Sequence, residues 1–151
     1  MLPLIDLTDG DNHFCVRVLG RHMPGVLPLH DRLDAELLLT SSFVTGRLPM
    51  TLSPADLRAW SHCLDLLAAG QAAVWRDDDR SPAITFLPHH EEYASPAVRV
   101  EDPGRSDTCV MLPLGLEEGW AEGQRGLLER VLERWPSEVV ETSPGVFEWR
   151  G

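Results

Sequence analysis

Apolar residues along this chain follow two rhythms: short β-branched or aromatic runs closed by turn residues, and two longer stretches with three- and four-residue spacing. The first rhythm predicts strands and the second predicts helices. Residues 14–19 (FCVRVL) stop at Gly20 and read as a strand. The following RHMPGVLPLHD carries two prolines and a glycine and reads as a loop. Residues 35–44 are apolar enough for a well-buried strand, and Gly46 permits a turn into another at 48–52.

Ser53-Pro54-Ala55-Asp56-Leu57 is the strongest local signal. It offers a serine N-cap, proline at the first helical position and an acid three residues after the cap. Leu57, Trp60, Leu64 and Leu67 then make one apolar stripe, and Gly70 supplies the stop. From residue 72 the pattern returns to strands, at 72–76, 83–88, 97–101 and 108–114. Their connections DDDRSP, HHEEYASP and DPGRSD are short and polar, as in sequential hairpins. A second helix is predicted at 117–135, with Trp120, Leu127, Leu128, Val131, Leu132 and Trp135 on its apolar face. Gly119, Gly123 and Gly126 weaken its first half, and Pro136 ends it. The tail SEVVETSPGVFEWRG holds two apolar patches around a Ser-Pro-Gly turn, a final hairpin or an extended arm. The expected fold is α+β: an antiparallel meander of about six or seven strands packed with two main helices, in one domain spanning 1–151.

Composition narrows the function classes. With 43% hydrophobic and 25% charged residues the chain is an ordinary folded domain and not a disordered one. No apolar run reaches the roughly 20 residues of a membrane-spanning helix, and no basic leader precedes an apolar stretch. Cys15, Cys63 and Cys109 are odd in number and set among apolar residues, which suits buried thiols in a reducing cytoplasm. The net charge is -11, spread along the chain, and every basic residue is arginine, a usage that suggests a GC-rich genome. Such a balance argues against nucleic acid, which needs a basic stripe, and steers a basic partner toward the surface.

Candidate chemistry is sparse. His89-His90-Glu91-Glu92 holds metal-ligand types, but adjacent strand residues point to opposite faces, so a solvated hairpin tip is expected. Asp77-Asp78-Asp79 lacks the alternating ligands, glycine and glutamate of a calcium loop and reads as a charged turn able to meet a basic protein patch. Ser61, His62 and Asp65 sit on a helix where neighbours diverge, which argues against a triad, and Cys63 lies by the apolar stripe as a core thiol. No phosphate loop is present, because there is no GxGxxG or GxxxxGK[ST] and no lysine. Of the five tryptophans, Trp149, near Phe147, is the candidate for an exposed anchor.

The order of these elements, with Leu52-Ser53-Pro54-Ala55-Asp56-Leu57 and Trp60, LLAAG, GWAEGQRGLLERVLERW and the ending EVVETSPGVFEWR, resembles an uncharacterised family from high-GC bacteria. That layout is similar to small immunity proteins of polymorphic toxin systems. The resemblance implies a module that acts by occupying a partner without catalytic residues or a cofactor. Its motif residues are caps and core positions and bring no binding site with them. The expected function is therefore a non-catalytic protein-binding module, in its sharper form an immunity-type inhibitor of a basic toxin, with Asp77, Asp78, Asp79, Glu91, Glu92 and Trp149 as contact residues. A small-molecule or metal-binding module, with His89 or His90 at the mouth, is the alternative, and an enzyme whose site assembles only in space is the third.

Overall fold

The computed structural model describes residues 1–76, 80–92 and 95–151. Four strands, β1 (Leu2–Thr8), β2 (His13–Arg21), β3 (Leu33–Thr40) and β4 (Thr45–Leu52), form one antiparallel sheet in chain order. In β3, Leu33, Ala35, Leu37 and Leu39 are buried while Asp34, Glu36 and Leu38 are partly exposed, the period-two alternation of a sheet with one face in the core. Helix α1 (Pro54–Ala68) follows. Its capping box is complete: the Ser53 hydroxyl accepts from the Asp56 amide, and the Asp56 carboxylate accepts from the Ser53 amide. The expected stripe of Leu57, Trp60, Leu64 and Leu67 is buried, together with Cys63.

A second antiparallel meander comprises β5 (Ala73–Trp75), β6 (Ala83–His90), β7 (Ser95–Glu101) and β8 (Cys109–Pro113), again in chain order. Helix α2 (Trp120–Arg134) and the hairpin of β9 (Val139–Ser143) and β10 (Val146–Trp149) complete the chain. Among the described residues the fold is α+β with two helices and antiparallel sheets, as expected. The differences are that ten strands among those residues are divided among three sheets, that 2–8 is a strand, and that the run at 35–44 stops at Thr40. Helix α2 starts at Trp120, after Gly119 in a left-handed conformation, and Leu132 is exposed because it lies off the face carrying Ala121, Gln124, Leu128 and Val131.

The two four-stranded sheets pack face to face. Phe14 of β2 meets Phe86 of β6 edge-on at 5.8 Å, and Trp60 of α1 lies 4.9 Å from Phe86 and 5.4 Å from Trp75. One apolar cluster includes residues from both sheets and both helices. An acid-base layer seals one end of the sandwich. Buried Asp56 receives two hydrogen bonds from Arg80, at 2.5 and 3.0 Å, and lies 3.6 Å from Arg76. Arg76 has a positive φ of 65° and donates to the carbonyls of Thr51, Ser81 and Pro82, so three donor contacts hold a backbone conformation that few side chains adopt.

Each sheet has two outer strands, and helices cover one pair. Helix α2 packs along β1, and α1 packs on β5 and α2. Gln124 closes the β1 edge: its Oε1 accepts from the Asp6 amide at 2.8 Å and its Nε2 donates to the Asp6 carbonyl at 3.1 Å, as a neighbouring strand would. Arg125 ties α2 to α1 through Ser61 and Asp65, so two members of the discounted triad serve helix packing. The terminal hairpin is held by the β2–β3 loop, where Asp31 accepts from the amides of Glu138 and Val139 and from the Ser137 hydroxyl. Arg21 bridges Asp31, the Pro136 carbonyl and Glu138.

Candidate functional site

Strands β4 and β8 border the other flank, where the sandwich is open. A cavity of about 260 Å³ between the sheets is lined by Leu37, Leu39, Leu48, Val100 and Val110. A second, of about 420 Å³, adjoins it through Leu39, Val44 and Val110 and runs past Cys109, Met111 and Leu112. Together they form a trough that is mostly apolar between the sheets and takes in Asn12, Ser41 and Ser42 toward the β3–β4 turn. Its polar margin includes Arg47, Thr108 and Asp102, and the Asp102 carboxylate accepts from the hydroxyls of Ser81 and Ser106 and from the Ser106 amide. The Ser81 hydrogen bond, followed by those from Ser106, holds the Asp102 carboxyl below the usual carboxylate range.

At the end of this trough the β3–β4 turn presents Phe43, which is 92% exposed. The turn is rigid for local reasons. The Ser41 amide donates to the Val44 carbonyl at 2.8 Å, while the Ser41 hydroxyl accepts from the amides of Phe43 and Val44 at 3.1 and 3.0 Å. Burying a phenylalanine side chain is worth about 1.5–3 kcal/mol, and this ring forgoes nearly all of it. Among the described residues it is the most exposed large hydrophobic side chain. The sequence pattern hides it, because residues 35–44 read as one buried strand. The signal was Ser41-Ser42, a turn pair in the middle of that run.

Of the residues nominated from sequence, those described lie on separate elements. Glu91 and Glu92 are exposed in the β6–β7 turn, whereas His89 and His90 end β6, with His90 Nδ1 accepting from the Glu92 amide at 3.2 Å. Trp149 is 48% exposed in β10 and packs edge-on against His30 at 4.8 Å. Asp77, Asp78 and Asp79 lie outside the described residues. At the sealed end of the sandwich a groove of about 840 Å³ exposes Arg32 and Arg105 near Asp34. Among the described residues, the one group of three or more side chains able to share a metal ion is Asp6, His13 and Cys15 on β1 and β2. Burial, then the charges of Asp6 and Glu36, push the Cys15 thiol up to about 11, so the free thiol keeps its proton at neutral pH.

Among the described residues no helix is long and apolar enough to cross a membrane. No curated protein and no solved structure matches the chain. A family model does match, over residues 2–136, which takes in both four-stranded sheets and both helices and ends before β9. On that match the chain belongs to the family of unknown function DUF5959.

Proposed function

We propose that this chain is a protein-binding module that engages its partner through Phe43 and the apolar trough between β4 and β8. The observation that carries the reading is the nearly complete exposure of an aromatic ring on a hydrogen-bonded turn at the mouth of that trough. A pre-organised anchor loses little conformational freedom on binding, and such rings dominate interface energetics. The net charge of -11 favours a basic partner by raising the association rate. In its sharpest form this is an inhibitor that acts by occupancy, a role that requires no catalytic group on this chain.

The test is capture from lysate of the source organism at low and high salt, run in parallel with the wild type and Phe43→Ser. Loss of an interface hot spot costs about 2 kcal/mol or more, so the protein retained by the wild type should bind the variant at least roughly thirtyfold more weakly. Equal retention by wild type and Phe43→Ser, with both folded by circular dichroism, would overturn the reading. Greater recovery at low salt than at high salt is the result expected of a basic partner.

A further inference from the structure

We propose that Asp6, His13 and Cys15 form a zinc-type metal site on the outer face of the first sheet, with a fourth coordination position open to solvent. The sheet register brings them together. Asp6 stands directly opposite Cys15 on the paired strand, and His13 precedes Cys15 by two residues, which puts all three on one face. Their donor atoms lie within 4.8 Å of one another, and Asp6 Oδ1 is 2.5 Å from His13 Nε2. Metal-ligand distances of roughly 2.0–2.3 Å place donors in a tetrahedral site about 3.4–3.8 Å apart, so small side-chain rotations would seat an ion.

The donor set selects the metal class. A thiolate, an imidazole and a carboxylate suit zinc and cobalt, whereas calcium and magnesium take oxygen ligands. The site is supported and reachable. Gln124 fixes the Asp6 backbone on both its polar groups, Cys15 is buried in the sheet, and the side chains of Asp6 and His13 are 45% and 47% exposed. On binding, the cysteine sulfur forms a bond to the ion and releases its proton to solvent, while the proton that His13 Nε2 donates to Asp6 passes through solvent to Nδ1, so that the freed Nε2 lone pair and the Asp6 carboxylate exchange their hydrogen bond for two metal bonds. Three protein ligands leave the fourth position to water.

Cobalt(II) titration of chelator-treated protein tests this directly. The expected result is a near-ultraviolet thiolate-to-cobalt charge-transfer band that saturates at one equivalent and is removed by zinc. Cys15→Ser should abolish the band, and Cys109→Ser should leave it intact. His13→Asn changes an exposed residue and keeps the fold testable. It should weaken affinity by at least the roughly 10–100-fold that even loss of an outer-shell partner costs. Absence of the band in the wild type, its survival in Cys15→Ser, or unchanged affinity in His13→Asn would each overturn the proposal and leave Asp6 and His13 as a surface ion pair.

Discussion

The two flanks of the sandwich are built from the same element, a pair of outer strands, and finished in opposite ways. On one, α2 covers β1 and α1 covers β5, and Gln124 satisfies the strand edge itself. On the other, β4 and β8 border a trough and Phe43, one of its lining residues, faces water. Outer strands are a liability that folds usually blunt with charge, proline or short length. β4 carries Arg47 and Pro49, and β8 is five residues long and ends in Pro113. The open flank thus discourages strand-to-strand pairing while leaving apolar side chains accessible. The contrast separates residues that hold the protein together from residues free to meet something else.

Mutations sharpen that division, and the largest effect belongs at the junction of sheets and helix. Trp60→Ala removes a fully buried ring from between Trp75 and Phe86 and should cost about 3–5 kcal/mol in denaturant unfolding. Asp56→Asn removes the buried carboxylate that binds Arg80 and lies 3.6 Å from Arg76, with an expected loss of about 3 kcal/mol at neutral pH. Burial works to raise the Asp56 carboxyl, but the Arg80 hydrogen bonds, the Ser53 amide and the charges of Arg80 and Arg76 hold it below its ordinary value. A depressed carboxyl contributes stability above its unfolded value near about 3.9, lost as pH falls through the lower folded value. Wild-type stability should therefore drop over that acid window, and Asp56→Asn should flatten the drop. A profile unchanged by the substitution would remove Asp56 from the account.

Gln124→Ala leaves the amide and carbonyl of Asp6 unpaired and should cost about 1–3 kcal/mol, with faster hydrogen exchange confined to β1. Phe43→Ser should change stability by no more than about 0.5 kcal/mol, because the ring is exposed. A loss of 2 kcal/mol there would make the turn structural and break the comparison. The smallest effect is chemical. In native protein a thiol reagent should modify exposed Cys109 and spare buried Cys15 and Cys63 until unfolding, and a bound partner should slow the Cys109 reaction.

Local signals were legible and spatial ones were not. The Ser53–Asp56 capping box, the α1 stripe and the β5–β8 meander follow from neighbours in sequence, and each appears within a residue or two of its expected bounds. The division into separate sheets was hidden, because strand spacing says nothing about which meander folds over which. Asp6, His13 and Cys15 escaped notice because no spacing rule joins residue 6 to residues 13 and 15 without the β1–β2 register. Adjacent His89 and His90 drew attention by proximity alone. Hydrophobicity alone places Leu132 on the buried face of α2, yet the helix turns it to solvent.

The side chain that seals β1 lies 118 residues away in sequence. At synthesis rates of roughly 5–20 residues per second, Asp6 is made about 6–24 s before Gln124 exists to cover it. During that interval the nascent first sheet has a bare outer strand in a crowded polysome. The order of elements thus sets a timed vulnerability: slower elongation between β4 and α2 should raise the aggregated fraction, and the gap closes only when the second helix is complete.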